Sequence, residues 1–422
     1  MIKAGSLFYA IVISLIIAII SSSLILFAYL TRIQFENFEA NQQLNLNADS
    51  GLNLLLSKQS LVELNQQKTI DLFNTGTDNV ELTRKSWGAY EILISKAVFK
   101  NIEVTRIAQS GFYPDSAHLY SLYLTDEDKP LALCGNTLIK GTAYLPKAGV
   151  KRAYIEGQSF TGNTLIEGQI KQSENTIPKF NKDLIDNIQS VFSKKLITRN
   201  DSTITVEGEL SGDTLNNGFQ NRTLVIVSSI PLRVSSGVYS GNIAIISDKQ
   251  ITISSNAYLK DVVIFAPKII IENEFRGNLQ AFASDSIIIN KNVSLAYPSI
   301  LGLVVDGNKS KNNSAIILDE NDTISGNIFV YKNEVDVLKQ AGLIIPGKAV
   351  VLGQVYSDGY VDLKGTIKGS LMCNKIMLST SSSVYENHLL NAIIDVSELS
   401  KYYVGINLVE ESAIKKVVKW LN

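Results

Sequence analysis

The segments Gln250-Ile-Thr-Ile253, Lys268-Ile-Ile-Ile271 and Ser286-Ile-Ile-Ile289 begin 18 residues apart. Equal intervals mean that one short strand is reused in one register, and few folds need that. Between these segments fall Gly241-Asn-Ile-Ala-Ile, Val262-Val-Ile-Phe and Gly277-Asn-Leu-Gln-Ala-Phe, a second strand series interleaved with the first. Related Gly-led openings recur at Gly135, Gly162, Gly326, Gly353, Gly365 and Gly369. Short strands punctuated by Gly, Asn, Asp or Ser fit one coil of a solenoid with three sides of about six residues. A single coil cannot bury its inward face, so stacked coils must share a core, with Ile251, Ile269 and Ile287 in one apolar column. A β-sandwich also has many short strands, but it gives no reason for equal spacing. The pattern predicts a right-handed parallel β-helix over residues 131–395. A helical insert is expected near 181–192, a loop insertion at 306–313, a short helix at 334–342 and a C-terminal cap over 396–422.

Upstream the period is two. Thr69–Phe73, Asn79–Thr83, Trp87–Ile94, Ile102–Ile107 and Leu119–Leu124 alternate apolar and polar residues, which predicts an antiparallel β unit over 66–130. Earlier still, residues 4–31 carry no charge. As a helix rising about 1.5 Å per residue this run reaches roughly 42 Å, against a hydrocarbon core of about 30 Å. It predicts a transmembrane helix over 6–31, continuing as a helical stalk over 32–61. A cleaved secretory signal normally has a shorter apolar region ending in a small-x-small site. Lys3 before the helix and Arg32 after it give only a slight orientation bias, which a short cytoplasmic head and an exported bulk satisfy.

The chain has 39 basic and 40 acidic side chains. That balance argues against a nucleic-acid partner. Cys134 and Cys373 are the only cysteines, which excludes a cysteine zinc finger and leaves two buried thiols or one long-range bridge. With only His118 and His388, neither a His-based triad nor a two-His metal site has material. Six Asn-x-Ser/Thr triplets, at Asn200, Asn221, Asn292, Asn308, Asn312 and Asn321, are expected by chance in so Asn-rich a chain. Paired carboxylates for glycoside cleavage would have to come from Asp261, Asp285 and Asp306, or from Asp319-Glu320-Asn321-Asp322. Acidic turn residues also suit any solvated β-helix, and no calcium-loop spacing accompanies them. The expectation is no enzyme, no metal and no cofactor.

The N-terminus resembles that of type IV pilin-related proteins, especially minor pilins and minor pseudopilins of type II secretion systems. In Met1-Ile-Lys-Ala-Gly5 the resemblance implies a leader cut by a prepilin peptidase after Gly5, making Ser6 the first mature residue. Asn47-Ala-Asp-Ser-Gly-Leu52 is similar to the Ala-Glu-Ser-Gly segment of tip-type members, whereas Ala10 stands where most members carry Glu. The Gly-led strand repeat separately resembles bactofilin-like polymer-forming β-helices. Together these imply a single-pass protein of a bacterial inner membrane with its C-terminal part periplasmic or extracellular. Its role would be structural or binding, among other envelope, pilus or secretion proteins. The alternatives are a β-helix that binds or cleaves polysaccharide, for which clefted carboxylates on adjacent coils would speak where a smooth face would speak for a scaffold or adhesin, and a membrane-tethered polymer with an uncapped coil end. Ser14, Ala18, Ser21 and Ser22 give the anchor one small-residue face on which neighbouring helices can approach.

Overall fold

The computed structural model describes residues 4–57, 61–74, 76, 78–114, 119–193, 201–306, 314–333, 341–409 and 414–421. His118, Asn200, Asn308, Asn312 and nearly all of both expected interruptions, 306–313 and 334–342, lie outside them. The fold is mainly β, with one long apolar N-terminal helix, an antiparallel sheet and a parallel β-helix. The chain forms two compact units, residues 1–84 with 93–106, and residues 85–92 with 107–422.

In the first unit helix α1 runs unbroken from Ala4 to Ser57. No proline interrupts it, and from Leu7 to Leu30 its apolar side chains other than the half-buried Val12 are exposed. The stalk then becomes one-sided. Leu44, Ala48, Leu52 and Leu55 recur at helical spacing and are buried, as are Val80, Leu82, Leu93 and Ala97 of the sheet strands. Gly51 lets the two surfaces close, because a Cβ there would run into Ser95 Oγ and Leu82. Strand β1 (Gln66–Asp71) pairs antiparallel with β2 (Asn79–Trp87), from Gln66 on Arg84 to Asp71 on Asn79. Strands β3 (Tyr90–Phe99) and β4 (Ile102–Tyr113) follow.

The second unit holds the β-helix. One coil is Ala257–Lys260 (face C), Val262–Ala266 (face A) and Lys268–Ile271 (face B), within a strand that bends at its bulges. The predicted column is present: Ile251 pairs in parallel with Ile269, and Ile269 with Ile287. On face A, Ile245 aligns with Ile264, Ile264 with Ala281, Leu301 with Ile328, Ile328 with Val355 and Val355 with Leu371. All are fully buried.

The next member of that column is not the next in sequence. Leu371 pairs with Leu122, which in turn pairs with Ala143, and Ala143 with Ile170. The other faces agree, with Leu389 on Leu133 and Ile394 on Ile139. The first coils of the chain therefore stack on its last ones, and the β-helix begins near Leu122 rather than at 131. Leu119–Leu124, read as antiparallel because it alternates, pairs in parallel here; a coil side alternates too, so period alone does not give strand direction.

Ten face A strands separate Gln172 from Ser202, where the stack restarts, and as far as Phe192 the returning chain lies across their outside. Glu174 N donates to Tyr123 Oη (3.1 Å) and Tyr356 Oη donates to Pro178 O (3.0 Å). The Phe180 ring lies 5.0 Å from Phe329 and 4.9 Å from Tyr356, and Phe192 lies 5.6 Å from Phe265. Between these aromatics sits α2 (Lys182–Phe192), the expected insert, capped by Asn181 Oδ1 and buried through Leu184, Ile185 and Ile188. The C-terminal segment is not a cap on the coil end. Tyr403–Val409 lies beside this return, bridged to it by Phe180 and Val409, and Ile414–Trp420 pairs antiparallel with β4. Its β-branched Ile414, Val417 and Val418 favour a strand over the end of a solenoid.

Glycines stack where the chain turns onto face A. Gly326, Gly353 and Gly369 pair in series with φ of +143°, +152° and +155°. A Cβ on Gly353 would strike the Gly326 carbonyl, and one on Gly369 the Gly353 carbonyl. The obstruction is backbone and cannot swing away. Gly353→Ala should therefore cost about 3 kcal/mol or more, read as a lowered denaturant midpoint, whereas Gly149→Ala, with open space around it, should cost about 1 kcal/mol through its φ alone.

Candidate functional site

The suspected processing residues Gly5 and Ser6 lie in the first turn of α1, both exposed. Nothing stands within 4 Å of where a Cβ on Gly5 would project. From there the helix is long and apolar enough to cross a membrane. Ser14 Oγ donates to Ala10 O (2.8 Å) and Thr31 Oγ1 to Phe27 O (2.8 Å), so these hydroxyls are satisfied within the helix. Past the apolar run, Arg32 pairs with Glu36 at 2.9 Å.

The segment Asn47–Leu52 is the part of α1 that meets the sheet. Asn47 Nδ2 donates to Asp78 Oδ1 (2.9 Å), and Arg106 bonds Asp49 Oδ1 (2.8 Å) and Asn45 Oδ1 (2.7 Å). Its polar residues set the helix's rotation while Ala48, Gly51 and Leu52 set its depth.

The acidic candidates are spread over three corners of the coil. Asp261, at the turn from face C to face A, accepts from Lys419 Nζ on both carboxylate oxygens (2.8 and 2.6 Å). Asp285 and Asp306 share the turn from A to B: Asp285 Oδ2 accepts from Ser286 Oγ (3.1 Å), and Asp306 ends its strand opposite Asn333. Asp319–Asp322 turns from B to C. There Asp322 is wholly buried and accepts Val293 N (2.9 Å) and Asp319 N (2.7 Å), tying one coil to the next. Among the described residues no group of three His, Cys, Asp or Glu could hold a metal ion. Cys134 and Cys373 are both buried and unbridged, and burial pushes the Cys373 thiol well up.

Sequence reading missed the polar latch under Tyr403–Val409. Tyr403 Oη donates to Gly326 O (3.0 Å) and accepts Gln354 N (3.3 Å); Tyr297 Oη donates to Val404 O (2.8 Å). Burial raises Tyr297 to about 12 and Tyr403 further, so both hold their protons. Nearby, Lys415 Nζ, completely enclosed, bonds Glu91 at 2.6 Å. Three lysines share this strand, and nothing local singles out Lys415 for burial because its partner lies 324 residues away.

Burial raises Asp322 to about 6 despite its two backbone donors. Between about pH 4 and pH 6 the folded chain holds a proton there that the unfolded chain has released, so this group's contribution falls as pH rises through that window. Asp322→Asn keeps one acceptor and removes the titration. Denaturant midpoints at pH 4.5 and 7 should therefore differ less in the variant than in the parent, by on the order of 2 kcal/mol; an unchanged difference would show that Asp322 titrates normally.

No protein-family model, no curated protein and no solved structure matches the chain.

Proposed function

We propose that this chain is a membrane-anchored component of a bacterial pilus-like or type II secretion-like apparatus, carrying its β-helix outside the inner membrane in a structural or binding role. The observation that carries the reading is the change of environment along one unbroken helix. Residues 7–30 present apolar side chains to their surroundings, while Leu44, Ala48, Leu52 and Leu55 are taken up by a sheet. A signal-anchor needs only the first part. A pilin-related subunit needs both, because its helix must lodge in lipid and also carry its own domain, and Asn47–Leu52, where the resemblance lies, is the docking stretch. The chain would be processed after Gly5, with the new N-terminus at Ser6, and would cross the membrane once.

Intact-mass analysis of membrane-extracted protein, with the N-terminus mapped, tests this. The expected mature chain begins at Ser6, and Gly5→Leu should retain the leader. Retention of Met1 or Ile2 in the parent would overturn the pilin-related reading, and cleavage beyond Leu30 would overturn the anchor.

A further inference from the structure

Beneath Tyr403–Val409 lie buried polar side chains that the protein does not pair. Along the outward row of face A, Gln280 aligns with Ile300, Ile300 with Asn327 and Asn327 with Gln354. Gln280 commits its side chain to the hairpin between β2 and β3, donating to Trp87 O (3.0 Å) and accepting Ala89 N (2.9 Å). The next residue of that hairpin, Tyr90, is 2 % exposed, and Asn327 is wholly buried. Among the described residues, Asn327 Oδ1, Asn327 Nδ2 and Tyr90 Oη have no hydrogen-bond partner. The same two glycines border them. A Cβ on Gly405 would stand 2.7 Å from Gln354 Oε1 and 3.2 Å from Asn327 Nδ2, and one on Gly111 would stand 3.1 Å from the Tyr90 ring and closer still to Gly405 O. Asn327 also lies beside the Tyr403 hydroxyl, but that group already gives its proton to Gly326 O and accepts Gln354 N. Burial, with the Tyr403 and Tyr297 hydroxyls nearby, raises Tyr90 well above its ordinary range, so it keeps its proton.

We propose that this enclosure is a binding site for ordered water, which joins the Asn327 amide to the Tyr90 hydroxyl. The chemistry of the orphaned atoms selects the ligand. Asn327 offers N–H donors and a carbonyl oxygen, and Tyr90 offers an O–H donor and its lone pairs. A cation would serve only the oxygens and an anion only the donors, so neither satisfies Asn327. Water both gives and receives, and a buried water with about three polar partners is how folded chains commonly satisfy such groups. Leaving them unpaired would cost the desolvation of each with no compensating bond. The site is assembled from separate stretches of chain: Tyr90 of the hairpin, Gly111 of β4, Asn327 and Gln354 of face A, and Gly405 of the C-terminal segment. Water there acts beside the direct hydrogen bonds of Tyr297 and Tyr403, so the C-terminal segment meets face A across a wet seam. The inference is independent of processing at Gly5.

Radiolytic footprinting of the full-length protein in detergent micelles reads the site directly, because hydroxyl radicals made from a bound water oxidise the side chains beside it where bulk solvent does not reach. Tyr356, 1 % exposed and donating to Pro178 O, is the reference tyrosine. Tyr90 should be oxidised several-fold faster than Tyr356. Asn327→Leu, close in volume and without polar atoms, should bring Tyr90 down to the reference rate and leave Tyr356 unchanged. Equal rates at Tyr90 and Tyr356 in the parent overturn the proposal, and so does a fast Tyr90 that Asn327→Leu leaves unaltered. If Asn327→Leu raises every buried tyrosine together, the fold has opened and Tyr90→Phe decides. Oxidation of Tyr403 should then fall several-fold as water is lost from the site, and an unchanged Tyr403 rate overturns the proposal.

Discussion

The second unit depends on one strand pairing, Leu371–Cys373 with Leu122–Leu124. Apart from its companions on the other two faces, Leu389 on Leu133 and Ile394 on Ile139, the coil contacts of the main stack join segments that follow one another along the chain. This one joins the first coils to the last, so the coils over 122–172 prolong the end of the stack that residues near 371 close. The cost is the loop-closure entropy of a long intervening segment, which grows only slowly with length. The return is a core that runs through the joint without a break: Leu122, Leu133 and Ile139 are as fully buried as Leu371, Leu389 and Ile394.

That joint dictates the outer surface of face A. A chain that begins at one end of the stack and resumes at the other must travel the length between, and the travelling segment needs something to lie on. Phe265, Phe282, Phe329 and Tyr356 supply it, in one outward column where Gly302 stands between Phe282 and Phe329. Aromatic side chains bury a large area each and tolerate edge and offset packing, which suits a helix crossing strands at an angle. Face A is thus apolar inside and out, for two different reasons. The inner column makes the solenoid, and the outer one holds the return.

Much of this was legible in the sequence, but not its order. The 18-residue interval and the inward Ile251, Ile269 and Ile287 describe how each coil meets the next, because hydrophobic periodicity records which way a side chain faces. The insert around Leu184 and Ile188 was visible for the same reason. Nothing in periodicity records which coil sits on which when the contact is not sequential, so Leu122 on Leu371 was invisible. The outward Phe265 and Phe282 were the available clue, since an exposed strand face has no need of aromatics, and their spacing of 17 residues matches the coil. The acidic candidates fared differently. Asp261, Asp285 and Asp319–Asp322 were picked by residue type, and the turns that hold them lie on separate corners, where a carboxylate caps backbone N–H groups or meets a lysine.

The two ends of the β-helix region also return to one place. Strand β4 leads into it, and the segment after it comes back to lie against β4, first through Phe112 and Gly405, whose backbones exchange two 2.9 Å hydrogen bonds, and then through the strand Ile414–Trp420. Residues 119–395 are therefore an insertion between two hydrogen-bonded neighbours of one sheet. Insertions succeed where the flanking chain ends are already close, because the host then loses no contact by accepting them.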